Sequence, residues 1–186
     1  GIIAEHAATG ITEIARPVGV VAAVVPSTNP GATPANNIIN ALKCGNAVIL
    51  SPSPKGYTTC AKLVAYIHAE LTRVGAPLDL VQMLAAPVTK ESSTELMHEA
   101  DLVVVTGSRA NVRAGYSSGK PALGVGAGNV AVIVDESADV NDAAAKIMAS
   151  KIFDNATSCS SENSVIIHAK VYAAMLAALV QEGGAL

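Results

Sequence analysis

Val18-Gly-Val-Val-Ala-Ala-Val-Val25 runs directly into Pro26-Ser-Thr-Asn-Pro-Gly31. The first stretch is apolar without alternation, which predicts a strand buried on both faces. The second is built from turn residues, so the strand ends abruptly in a loop. The same pairing recurs down the chain. Asn46-Ala-Val-Ile-Leu50 closes on Ser51-Pro-Ser-Pro54, and Leu102-Val-Val-Val-Thr106 closes on Gly107-Ser108. Further strands are predicted over 79–84, 122–125, 130–134 and 164–167. Between them lie helical segments, predicted over 34–43, 58–74, 91–99, 108–117, 139–154 and 169–182. In 58–74 the apolar positions Cys60, Leu63, Val64, Ile67, Leu71 and Val74 fall on one helical stripe. Asp139 is placed as a helix N-cap.

Strand and helix alternating at this rhythm predict an α/β fold, a parallel twisted sheet with helices on both faces, Rossmann-like. Ligands of such sheets bind beyond the carboxyl ends of the strands. That rule selects the loops 26–31, 51–56, 85–90, 106–109 and 124–129.

Composition bounds the rest. The chain has 186 residues, of which 51% are hydrophobic and 15% charged, against a typical charged fraction of about 25%. It is rich in small aliphatics, with 34 Ala and 22 Val against one Phe and no Trp. General disorder is excluded. The net charge of −3 and the lack of a Lys/Arg cluster argue against a nucleic-acid partner. The longest apolar run, Val18 to Val25, is too short for a bilayer, which needs about 20 residues. The N-terminus reads as carrying no secretion signal. Three widely spaced cysteines, Cys44, Cys60 and Cys159, give neither a disulfide framework nor a zinc site, and a reduced, cytoplasmic setting is the expectation. So few charges leave part of the surface apolar, which suggests oligomerisation.

Locally, each candidate motif keeps two readings. Gly124-x-Gly126-x-Gly128 is a tight turn between strands or a degenerate dinucleotide loop. Thr106-Gly107-Ser108 is an ordinary helix cap or a phosphate-binding turn. Cys159, in Asn155-Ala-Thr-Ser-Cys-Ser-Ser-Glu-Asn163, is the one cysteine in a polar setting where a thiolate could meet a substrate. His6, His68, His98 and His168 share no metal-like spacing, and solvated or capping roles are expected for them. No metal site is expected.

Taken together, these segments resemble the aldehyde dehydrogenase superfamily. The resemblance rests on Arg16-Pro-Val-Gly-Val-Val through Val25-Pro-Ser-Thr-Asn-Pro30, on Gly45-Asn-Ala-Val-Ile-Leu-Ser-Pro52, on Thr106-Gly-Ser108 and on Cys159, and runs from about Gly10 onward. Tyr116-Ser-Ser-Gly-Lys-Pro-Ala-Leu-Gly-Val-Gly-Ala-Gly-Asn129 and the segment around Cys159-Ser-Ser-Glu-Asn-Ser-Val165 are similar to the CoA-acylating branch. The resemblance implies that Cys159 attacks the aldehyde carbonyl and that Asn29 and the Cys159 backbone N–H hold the oxyanion. It implies cofactor contacts at Thr28, at Ser51, Pro52, Ser53 and Pro54, at Thr106, Gly107 and Ser108, and at Val125 and Gly126. NAD or NADP is the implied cofactor, coenzyme A the co-substrate and a short aldehyde the substrate.

Two departures from hydrolytic members stand out. Gly124 falls where they carry a general-base glutamate, and Ser51 falls where they carry a ribose-binding lysine. The first favours CoA over water as acyl acceptor. The second leaves the choice between NAD and NADP open. Family members also continue well past the 27 residues that follow Cys159 here. The expectation is therefore an incomplete piece: a nucleotide-binding domain over 1–135 and the start of a catalytic domain over 136–186, from a homo-oligomeric parent. Two alternatives accompany it, a truncated nucleotide-binding module without turnover and a hydrolytic aldehyde dehydrogenase.

Overall fold

The computed structural model describes residues 1–185. The chain opens with an antiparallel hairpin, β1 (Ile2–His6) and β2 (Ile11–Ile14), that stands apart from the main sheet. The sequence reading did not foresee it. β3 (Val20–Val25) follows, then α1 (Ala32–Lys43), β4 (Ala47–Pro52), α2 (Tyr57–Arg73), β5 (Val81–Met83), α3 (Lys90–Glu99), β6 (Leu102–Thr106), α4 (Arg109–Tyr116) and β7 (Ala122–Val125).

These five strands form one parallel sheet in the order β5-β4-β3-β6-β7. The chain starts at the centre, builds outward through β4 and β5, and returns to β6 and β7 on the other side. The order therefore reverses between β3 and β6, the switch point where nucleotide-binding sheets open a crevice.

The unbroken apolar run of β3 now has its reason. Val21, Ala23 and Val25 pack with Ile38 of α1 and with Cys60 and Val64 of α2. Ala22 and Val24 pack on the opposite face with Leu96 and Met97 of α3 and with Val103 and Val105. Both faces are dry, so neither alternate set can be polar. The half of the sheet formed by β6 and β7 is different. Its α4 side is covered, but Leu123 and Val125 on the other side are more than half exposed.

Residues Ala127–Leu186 make a second compact unit, separate from Gly1–Gly126. β8 (Val130–Val134) pairs in parallel with β9 (Glu162–Ile167), and α5 (Val140–Ile152) and α6 (Tyr172–Gln181) pack around Val134, Ala144, Ile147, Met175 and Ala178. Asp139 caps α5 as expected, its carboxylate accepting the N–H groups of Asn141 and Asp142 at 3.0 and 3.1 Å. The strands predicted at 130–134 and 164–167 both exist, but they pair with each other and not with the main sheet. Residues 126–129 accordingly form a non-helical connection between two sheets and not a tight turn.

Candidate functional site

The loops at the carboxyl ends of the strands in the first unit bring most of the expected cofactor residues to two cavities, one on each side of the sheet. Ser51, Pro52, Ser53 and Pro54 line the first, of about 390 Å³, together with Lys90 and Ser93 of α3 and Asn111 of α4. Ser51 is buried, and its hydroxyl lies 2.8 Å from that of Ser93, which itself donates to the Thr89 carbonyl at 2.7 Å. This chain of hydroxyls ties the end of β4 to the start of α3. Val24, Met97 and Ala114 supply an apolar floor.

Asn29, Thr106 and Val125 line the second cavity, of about 670 Å³, which lies between α1 and the open side of β6 and β7. The Asn29 side-chain Oδ1 accepts the Ala32 N–H at 3.0 Å as α1 begins. That bond fixes the amide and leaves its Nδ2 as the free donor. Asn37, on the same cavity, keeps a buried Nδ2 without a partner.

Gly107 and Gly126 meet at the end of the sheet. The Gly107 N–H donates to the Val125 carbonyl at 3.0 Å, and a Cβ on Gly126 would come within 4.0 Å of the Gly107 carbonyl oxygen. Ser108 caps α4, accepting the Asn111 N–H at 3.2 Å. The capping reading of Thr106-Gly107-Ser108 is thus realised, and the first-turn N–H groups of Arg109 and Ala110 point out of the helix end as all such groups do. Thr28 lines neither cavity.

Gly124 needs its missing side chain for space. None of Gly124, Gly126 and Gly128 has a left-handed φ. A Cβ on Gly124 would instead sit 2.7 Å from Val112 Cγ1 and 2.8 Å from Tyr116 Cε2, both on α4.

The second unit carries Cys159. Asp154, Asn155 and Ala156 precede it with φ of 50, 52 and 57°, three consecutive left-handed residues. Such backbone costs about 1–3 kcal/mol per residue and persists only where surroundings hold it. Here Thr157 Oγ1 donates to the Asp154 carbonyl at 2.7 Å, and Ser158 and Ser160 hydroxyls lie 2.8 Å apart. Cys159 is exposed in the turn between them, with its carbonyl oxygen 3.4 Å from where a Gly128 Cβ would be. The other cysteines differ in setting. Cys60 is fully buried, and burial pushes its thiol up to about 11. Cys44 is exposed at the end of α1.

The histidines serve structure. His68 bonds the Val81 carbonyl at 2.7 Å, His98 the Ser118 carbonyl at 3.0 Å, His6 the Glu13 carboxylate at 2.9 Å, and His168 accepts the Lys170 N–H at 3.3 Å. Among the described residues no group of three His, Cys, Asp or Glu side chains could hold a metal ion. Lys90, Ser93 and Asn111 were not singled out from sequence. The only available signal was the strand-end rule, which did select the 85–90 loop.

The strand order and the glycine-bearing strand ends are those of a dinucleotide-binding α/β fold. The chain belongs to the aldehyde dehydrogenase family, whose profile matches residues 2–186. It is 68% identical, over all 186 residues, to an acylating sulfoacetaldehyde dehydrogenase of Cupriavidus necator, of which it spans 38%. Among solved structures, a propionaldehyde dehydrogenase of Rhodopseudomonas palustris with bound propionyl-CoA superposes with a TM-score of 0.81 at 36% identity, covering 89% of this chain and 37% of that one. An engineered glycolyl-CoA reductase with bound NADP+ superposes with a TM-score of 0.83 at 35% identity, covering 89% of this chain and 38% of that one. This chain therefore corresponds to well under half the length of each.

Proposed function

We propose that this chain is the nucleotide-binding and cysteine-bearing part of a CoA-acylating aldehyde dehydrogenase. The net reaction is aldehyde, NAD(P)+ and CoA to acyl-CoA, NAD(P)H and a proton. The Cys159 thiolate adds to the aldehyde carbon, forming a C–S bond as the carbonyl becomes an oxyanion. The family resemblance gives Asn29 the role of oxyanion donor, and its Nδ2 is the atom left free by the bond to Ala32. A preorganised donor of this kind contributes about 3 kcal/mol. NAD(P)+, when bound, would supply the hydride acceptor, and Cys159 would hold the acyl group that remains as a thioester. The CoA thiol then takes the acyl group, and the cysteine leaves as thiolate. The residues present fit a nucleotide: the first cavity offers an apolar floor for a base and the hydroxyl of Ser53 for a ribose.

Gly124 carries the reading. Hydrolytic family members hold their general base at this position, whereas here Val112 and Tyr116 occupy the space next to the backbone. A positioned base typically contributes about 10²–10⁴-fold, so water is a poor acceptor without one. The name of the Cupriavidus necator relative makes a short sulfonated aldehyde the first substrate to test. We further place the protein in the cytoplasm, as a homo-oligomer.

The test replaces the matching 38% of that relative with this chain and follows acyl-CoA formation from sulfoacetaldehyde. Acyl-CoA as the product, in step with NAD(P)H, supports the proposal. Free sulfoacetate formed without CoA contradicts it.

A further inference from the structure

The first cavity has an unusual charge balance for a nucleotide site. Its lining contains hydroxyls at Ser51, Ser53, Thr89, Ser93 and Thr94, one cation at Lys90, and no Asp or Glu. Sites that select an unphosphorylated adenosine ribose place a carboxylate on its hydroxyls, because a carboxylate both accepts their hydrogen bonds and repels a phosphate there. The nearest carboxylate in the sequence, Glu91, is turned elsewhere. It is held below the usual carboxylate range first by its own backbone N–H and then by the Thr89 hydroxyl, and it does not line the cavity. Lys90 forms no ion pair among the described residues. Ser51 and Ser93 are already committed to each other, so their chain fixes the wall and leaves Lys90 as the one charged group facing the space.

Resting on the nucleotide reading above, in which this cavity holds the adenosine ribose, we propose that Lys90 is the specificity-determining residue that reads a phosphate monoester on that ribose. Two ligands of the proposed reaction carry that chemistry: NADP, with its 2′-phosphate, and CoA, with its 3′-phosphate. An ammonium on a flexible stem suits either, since it acts as a point charge without demanding one orientation.

The experiment compares wild type with Lys90→Gln and Lys90→Arg. NADPH and NADH are titrated by nucleotide fluorescence, and CoA and dephospho-CoA by calorimetry. Circular dichroism melts establish that both variants are folded. A charge-assisted contact is lost in Lys90→Gln, so affinity for the phosphate-bearing ligand should fall by roughly tenfold to a hundredfold. Affinities for NADH and dephospho-CoA should hold, and Lys90→Arg should keep most of the binding. A loss confined to NADPH assigns the 2′-phosphate, a loss confined to CoA assigns the 3′-phosphate, and a loss in both means the cavity serves the two in turn. Unchanged binding of both phosphate-bearing ligands, or an equal fall for NADH, overturns the assignment while leaving the nucleotide reading intact. Failure of the wild type to bind any of the four overturns both.

Discussion

Tyr116 fills the space that a side chain at Gly124 would need, and its hydroxyl accepts the Gly124 N–H at 3.1 Å. The ring and the glycine are complementary. The strand presents bare backbone, and the helix closes on it.

Gly124→Ala should therefore destabilise the first unit by about 1–3 kcal/mol, the usual cost of overpacking. The cause is crowding and not backbone strain, because φ at this position is not left-handed. Tyr116→Ala in the same chain should recover part of the loss, giving a non-additive cycle in urea melts. A neutral Gly124→Ala would mean that α4 can move away at no cost. Placing a glutamate at 124 to restore hydrolysis meets the same obstacle, so a clean test of that idea needs both Val112 and Tyr116 shortened first.

Asn46 anchors the entry to β3. Its Oδ1 accepts the N–H groups of Val18 and Gly19 at 2.7 and 3.0 Å, and the residue is nearly buried. Asn46→Ala leaves both donors without that acceptor, and a loss of about 2 kcal/mol or more is expected. Hydrogen exchange at Val18 and Gly19 should rise with it. Unchanged exchange would show that water replaces the amide freely.

Cys60 predicts a pH dependence with a definite sign. Its thiol stands at about 11 in the folded chain against an ordinary value of 9.0, so the folded state holds the proton more tightly. The resulting stability is fully present below about pH 9 and is lost as pH rises through 11, by roughly 3 kcal/mol in all. Wild type minus Cys60→Ala stability, measured from pH 8 to 11, should shrink accordingly. A pH-independent difference would contradict the burial argument.

The same contrast orders thiol reactivity. In the native chain iodoacetamide should modify the exposed Cys159 and Cys44 and spare buried Cys60 until urea unfolds the first unit. Peptide mapping reads this directly. Native-state modification of Cys60 at the rate of the other two would mean that α2 opens readily.

The main sheet was legible because β3, β4 and β6 are short apolar runs ended by turn residues, the pattern of a strand covered on both faces. The hairpin 2–14 was not. Both of its strands are exposed, so no buried face imprints a period on Ile2-Ile-Ala-Glu-His6, and a two-stranded ribbon leaves little local signal. Strands 130–134 and 162–167 were visible as segments, but which sheet they join depends on partners distant in sequence. The cavity residues show the same limit. The strand-end rule finds loops, but whether Lys90 and Asn111 face Ser51 is set by how α3 and α4 pack. Gly124 was recognised as a departure from the hydrolytic pattern, yet its steric reason lay twelve and eight residues back, in Val112 and Tyr116.

The central claim is that the acyl group on Cys159 waits for CoA. In the Cupriavidus necator relative carrying this chain in place of its matching segment, aldehyde and NAD(P)+ without CoA should release at most one equivalent of NAD(P)H per site. Mass spectrometry should then find the acyl group on the Cys159 peptide, and adding CoA should discharge it and restart turnover. Cys159→Ser in the same protein should release none. Steady multiple turnover without CoA, or an unmodified Cys159 after the burst, would contradict the account.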